Sequence, residues 1–230
     1  FIVDPVSVDE LTPVARISGS PDFPRFSFVH ALNIRATARK LAEKLEKKFE
    51  EMKCVVVHLG AGFSIAAFDR GKIVDNDNRM ESAPFTPERA GGVPPIPLVN
   101  ACFSGKYTKK ELIKKLYGEG GVYAYLGTKD MREIELSVKN GEEYTTLIYN
   151  AMIYQIAKET GKMATVLKGK VDYIIVTGGI AHNNYVMVKL EEYCNFIAPL
   201  KIYPGENELQ ALGEAVHRVL NNQEKSKIYE

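Results

Sequence analysis

The run KCVVVHLGAGFSIAAFDRGKIVD, residues 53–75, limits the fold more than any other part of the chain. It reads as three strands, KCVVVHL, SIAAF and KIVD, joined by a Gly-rich turn and by the tight turn DRG. Those connections are too short for a crossover helix, so the strands form an antiparallel meander rather than a βαβ unit. A fourth run, VDYIIV at 171–176, is almost continuously apolar, the mark of a strand covered on both faces, and TGG leads from it towards a helix near 183–195. Helical segments separate this strand from the meander, which makes the chain α/β with a mixed sheet.

The remaining elements follow from periodicity. Ile2 to Val8 reads as a strand, with Pro5 confining it to an edge or a strand end. The Pro-, Gly- and Ser-rich stretch PVARISGSPDFPRF is a loop and a plausible hinge between lobes. Residues 27–50 carry Phe28, Ala31, Leu32, Ala38, Leu41, Ala42 and Leu45 at helical spacing, with Ser27 as candidate cap. Residues 76–106 are rich in Pro and Gly and read as a functional loop. Short helices are expected near 108–117 and 130–139, and a long one over 142–167 with Tyr144, Leu147, Ile148, Ala151, Met152, Gln155, Ile156, Met163, Ala164 and Leu167 on its core face. A strand near 198–203 and a helix over about 206–220 close the chain.

Composition excludes several function classes. A formal charge of +1 with 26% charged residues gives no long-range field for a nucleic acid or a membrane surface. No apolar run approaches the ~18 to 20 residues that span a bilayer. Cys54, Cys102 and Cys194 are odd in number and widely spaced, which argues against a disulfide framework or a zinc site and favours a reduced, cytoplasmic setting. The chain opens at Phe1 inside a β-branched run with no initiator Met, so it is expected to be the C-terminal part of a longer protein.

Four features are able to carry chemistry. In His58-Leu-Gly-Ala-Gly-Phe-Ser64, small residues at a strand-to-strand turn let backbone N–H groups approach an anion, with Gly60, Ala61, Gly62 and Ser64 as candidates, although a plain glycine turn is an equal account. No G-K-[ST] follows, and the glycines lead into a strand, so neither the P-loop nor the dinucleotide fingerprint fits. His58 sits where it could donate to a phosphate or transition-state oxygen, although a lone His is more often structural. Thr177-Gly178-Gly179-Ile180 lies at the carboxyl end of a buried strand, where ligands of open α/β sheets bind, with a tight helix entry as the plainer reading. Arg89, on the loop FTPERAGGVPP, is able to clamp a trigonal phosphoryl group, with a surface-loop arginine as the plainer reading. Asp4 is placed to orient an attacking group or hold Mg²⁺ through water, or else simply to cap.

In this order the four resemble the acetate and sugar kinase, Hsp70 and actin superfamily, whose sheet is ribonuclease H-like. Within it, FIVDPVSVDELTPVARISG, HLGAGFSIAAFDRGKIVDNDN, PFTPERAGGVP, CFSGKY, AYLGT, MIYQIAKETGKMATVLKGKVDYIIVTGGIA and APLKIYPGENELQALGEA resemble the butyrate kinases of the acetokinase family nearly end to end.

The resemblance implies a carboxylate kinase that moves the γ-phosphoryl of ATP to butyrate or a similar short-chain fatty acid, with ADP and Mg²⁺ as further ligands. It implies Asp4, His58 and Arg89 as catalytic residues, Thr177 to Asn183 as the adenosine turn, and Glu208 as a metal carboxylate. Three positions depart from relatives: Ala61 in the phosphate loop, GIAHN in the adenosine turn, and Asn207-Glu208 where acetate kinase has two acids. Val57 and Met80 are candidate walls for the acyl tail. Residues 1–14 are expected to end a first lobe whose remainder lies upstream, 15–203 to form the nucleotide lobe, and 204–230 to return to the first lobe. The resemblance also suggests at least a dimer, and inactivity for this stretch alone. Acetate, propionate or a branched acid as substrate, or a non-catalytic nucleotide-binding module, are the alternatives.

Overall fold

The computed structural model describes residues 2–77, 83–206 and 208–226, so Met80 and Asn207 lie outside the described residues. Among the described residues, five strands form one sheet in the order β3-β2-β1-β4-β5. The meander comprises β1 (Lys53–Leu59), β2 (Phe63–Asp69) and β3 (Lys72–Asn76), paired antiparallel with Val56 opposite Ala66. Strands β4 (Tyr173–Gly178) and β5 (Leu200–Pro204) run parallel to β1, in a register that sets His58 beside Thr177.

Both faces of the sheet are covered, which is why its strands read as apolar runs without clean alternation. Cys54, Val56, Ala66, Phe68, Ile73 and Ile175 face α1 (Ala31–Lys44). Val55, Val57, Leu59, Phe63, Ile65, Ile174 and Val176 face α6 (Glu143–Val166) and α7 (Asn184–Cys194). Between β3 and α6 come α2 (Pro95–Phe103), α3 (Lys109–Leu116), α4 (Gly121–Leu126) and α5 (Met131–Lys139). The last helix, α8 (Glu208–Leu220), lays Ala211 and Ala215 towards α1.

Several expectations need correction. Residues 2–8 form no strand. Pro5 lacks an N–H, Asp4 adopts φ 38°, and Val8 N–H closes a turn on the Pro5 carbonyl at 2.9 Å. Residues 10–12 cover the open edge of β3 instead: Thr12 N–H donates to Val74 O, and Glu10 accepts from Ile73 N–H, each at 3.0 Å. Such cover protects an edge that would otherwise pair with another chain. Helix α1 is shorter than residues 27–50, because Glu46 turns left-handed at φ 53°. Ser27 does not cap it; its hydroxyl is buried and accepts from Asn76 Nδ2 at 3.0 Å. The loop at 76–106 contains α2, whose prolines sit in the first turn, where a missing N–H costs no hydrogen bond. On α6, Tyr144 and Leu147 are exposed while Tyr149 and Ile153 are buried. The apolar stretch LIYNAMI surrounds the helix there, so periodicity left its phase uncertain by one residue.

Asp77 lies just beyond β3, wholly buried, with Oδ1 accepting from Ile65 N–H at 2.6 Å and Oδ2 without a partner among the described residues. Burial pushes its carboxyl well above the ordinary range, against the smaller opposing effect of the Ile65 N–H. The folded chain therefore keeps this proton to higher pH than the unfolded chain, and stability falls as pH rises from the ordinary carboxylate range through the raised value. Asp77→Asn removes that ionisation and retains an acceptor for Ile65. Urea unfolding at about pH 5 and about pH 8 is expected to show a smaller loss of stability in D77N than in the unaltered chain; equal losses would exclude Asp77 as the source.

Candidate active site

The site is built at the carboxyl ends of the three parallel strands. Gly178 adopts φ 93°, and a Cβ there would meet the Leu59 carbonyl carbon at 2.6 Å, so only glycine lets β4 close on the end of β1. Gly178 and Gly205 exchange backbone hydrogen bonds of 3.0 and 3.3 Å, which draws the chain leaving β5 against the same rim. The Thr177 hydroxyl donates to Gly205 O at 3.3 Å. In this way Glu206 is brought to His58.

His58 is 1% exposed, and its Nε2 lies 3.2 Å from Glu206 Oε1 while its buried Nδ1 has no partner. The hydrogen bond from His58 holds the Glu206 carboxyl below its usual range. The His58 ring lies 4.3 Å from the ring of His30, whose Nδ1 is 2.8 Å from Ser64 Oγ. Sequence reading missed His30; its signal was a polar ring inside the apolar run FSFVHAL at the start of a helix. Ser64 is fully buried and its hydroxyl is engaged with His30 rather than open to a ligand.

The loop after β1 is compact, with Gly60 N–H donating to Gly62 O at 3.2 Å. A side chain at Gly62 would strike the Arg89 guanidinium, with Cζ only 3.1 Å from the Cβ position, so Arg89 lies directly against the loop. The backbone fixes Arg89 there. Thr86 Oγ1 accepts from Arg89 N–H at 3.1 Å, Thr86 N–H donates to Arg89 O at 2.9 Å, and Glu88 O accepts from Gly118 and Gly120 at 2.8 and 3.2 Å. Gly121, at φ 60°, packs beneath this turn, where a Cβ would lie 2.6 Å from Arg89 O. Among the described residues no carboxylate pairs with the Arg89 guanidinium.

A cleft of about 830 Å³ opens beside this cluster, lined by Gly60, Ala61, Gly179, Ile180, Asn183 and Glu206, among others. Lys129 and Glu88 pair at 2.6 Å beside it. Asn183 caps α7 through Oδ1 to Val186 N–H at 3.1 Å and donates from Nδ2 to Glu135 at 2.6 Å, which fixes the turn. The Arg89 guanidinium against Gly62 and the amides of Ala61 and Gly62, with the cleft beside them, suit a multiply charged anion.

Other candidates are placed elsewhere. Asp4 faces a second cavity of about 270 Å³, between α1, β5 and α8, that it shares with Thr177 and Gly205. It pairs with Arg35 at 3.0 Å, and burial raises its carboxyl against the pull of that arginine. The two cavities flank the Thr177–Gly205 rim, with Asp4 lining one and Glu88, the neighbour of Arg89, lining the other. Val57 is buried in the core and lines neither cavity. Glu208 accepts from Asn33 Nδ2 at 3.2 Å. The described residues contain no group of three His, Cys, Asp or Glu side chains able to hold a metal.

The model of the acetokinase family matches residues 25–229. Acetate kinase from Porphyromonas gingivalis is similar in structure at TM-score 0.80 and 22% identity, over 90% of this chain and 60% of that one. Acetate kinase from Entamoeba histolytica gives 0.78 and 17%, over 91% and 64%. A propionate kinase from Francisella tularensis gives 0.75 and 17%, over 87% and 59%. The chain thus spans 59–64% of the length of these relatives, and at such identity the likeness establishes the shared α/β fold with its mixed sheet. No helix among the described residues is long and apolar enough to cross a membrane.

The two glycines of the TGG turn are not equivalent. Gly178→Ala forces a left-handed backbone and a clash with Leu59, and is expected to cost about 2–4 kcal/mol in urea unfolding. Gly179→Ala meets nothing within 4 Å and is expected to stay within about 0.5 kcal/mol of the unaltered chain. Equal effects at both positions would contradict this account of the rim.

Proposed function

Because the chain belongs to the acetokinase family, we propose that it is the greater part of a carboxylate kinase transferring the γ-phosphoryl of ATP to a short-chain fatty acid. The carrying observation is Arg89, fixed by backbone bonds, lying against Gly62 of the loop whose Gly60 meets His58, with no carboxylate to neutralise it among the described residues. A cation held there is preorganised for charge that appears on a transferring group.

In this reading a carboxylate oxygen attacks the γ-phosphorus in line, the bond to the β–γ bridging oxygen breaks, and its electron pair leaves with ADP. Arg89 neutralises the equatorial oxygens, His58 donates from Nε2, and the amides of Ala61 and Gly62 cradle the phosphates. Gly179, Ile180 and Asn183 line the adjoining wall for the nucleoside, with Thr177 and Gly178 forming the rim below. Asp4, in the flanking cavity, is assigned to the carboxylate side, where closure of a first lobe would complete the site. We keep residues 15–203 as the nucleotide lobe, 1–14 and 204–230 as parts of the first lobe, and a dimer or larger assembly as the working state.

Butyrate is the substrate that the sequence resemblance favours. The named solved relatives, acetate and propionate kinases, favour a shorter acid as the second reading. A hydroxamate assay with a series from acetate to valerate, run on the full-length protein, separates them, and butyrate is expected to give the highest kcat/KM. Each methylene contributes only ~1 to 3 kcal/mol, so the preference will be graded. Arg89→Ala is expected to lower kcat about 10³-fold, with unfolding free energy changed by less than about 0.5 kcal/mol. Turnover near normal in R89A would remove Arg89 from the mechanism. ATP binding without product from any acid would leave a nucleotide-binding module.

A further inference from the structure

The Glu206–His58 contact is at odds with a phosphate site, because it puts a carboxylate where an anion should bind. Glu206 Oε1 is 3.2 Å from His58 Nε2 and 2.7 Å from the point a Gly60 side chain would occupy. Since His58 is buried and its Nδ1 has no partner, Nε2 is the donor it can turn to the cleft, and Glu206 holds it. We propose that Glu206 is a built-in competitor at this loop, its carboxylate occupying the anion position on His58 and Gly60 until a phosphate group displaces it. The inference rests on reading the 60–62 loop as a phosphate site.

The surroundings permit such an exchange. Gly205 is anchored to Gly178 by two backbone bonds, so the main chain stays in place while the Glu206 side chain, 43% exposed, is free to turn. A shallow depression lined by Glu206, Glu208, Leu209 and Gln210 lies on its outer side and offers it room. The charged and titratable groups around the contact are His58 on β1, His30 at the start of α1, Arg89 across Gly62, His182 beside Gly205 and Glu208 on α8, with Glu88, Lys129, Asp130, Arg132 and Glu135 along the rest of the cleft. A carboxylate and a phosphate oxygen cannot share one imidazole N–H, and their like charges repel at such distances. The affinity of the loop for phosphate is therefore reduced by the fraction of time that Glu206 occupies it.

A competitor and an orienting residue predict opposite outcomes. If Glu206 merely held the His58 ring in place, Gln would retain the hydrogen bond and Ala would lose it, so affinity would fall towards Ala. If it competes, affinity rises in both. Calorimetric titration of inorganic phosphate into the unaltered full-length protein, E206Q, E206A and R89A is expected to show about tenfold tighter binding in E206Q, at least as tight in E206A, and weaker binding in R89A. Binding no tighter in E206Q and E206A, with R89A still weakened, would overturn the competitor and leave the phosphate site standing. Absence of binding, or equal binding by R89A and the unaltered protein, would overturn both.

Discussion

The approach of Gly178 to the Leu59 carbonyl is the contact on which the site depends. With no Cβ at Gly178, β4 closes on the end of β1, Gly205 pairs with Gly178, and Glu206 reaches His58. The two flanking strands part at this point, with the chain passing from β1 to β2 on one side and from β4 to β5 on the other. A crevice at the carboxyl ends of parallel strands, where connections diverge, is where open α/β sheets bind ligands. Here that crevice opens beside a loop whose two glycines meet His58 at Gly60 and Arg89, from a distant segment, at Gly62.

Arg89 is held in place without an ion pair among the described residues. A guanidinium without a carboxylate partner contributes no ion-pair energy, and its loop is ordered instead by main-chain bonds from Thr86, Glu88 and the Gly118–Val122 segment. The charge of Arg89 is thus separated from the interactions that fix its position. Glu206 stands in a different relation to the site, as an exposed carboxylate that meets the buried His58 from the solvent side.

Much of the fold was legible because its signals are local. The meander shows in the spacing of VVV, SIAAF and KIVD, and β4 in its unbroken apolar run, since a sheet covered on both faces demands such residues. Where local preference competed with tertiary contacts, the reading failed. Residues 2–8 have strand-forming side chains but are turned by Asp4 and Pro5, α4 is too short to show a period, and the phase of α6 was blurred by apolar residues on every side. At the site, chain order revealed His58, Arg89 and the TGG turn, because each sits beside glycines that mark close approach. His30 and Glu206 depend on contacts across 28 and 148 positions of chain and carry no such mark. The separation of Asp4 from Glu88, the neighbour of Arg89, by the β4–β5 rim was equally invisible, since it follows from which face of the sheet each segment covers.

Transfer of a phosphoryl group directly to a carboxylate oxygen leaves an isotopic trace. Full-length protein would be incubated with ATP and a short-chain acid labelled with oxygen-18 in its carboxylate, then trapped with hydroxylamine. Attack by the carboxylate makes a labelled oxygen the bridge of the acyl phosphate, and hydroxylamine cleaves on the carbonyl side. The account predicts one labelled oxygen in the phosphate released for each hydroxamate formed. Hydroxamate accompanied by unlabelled phosphate would contradict it.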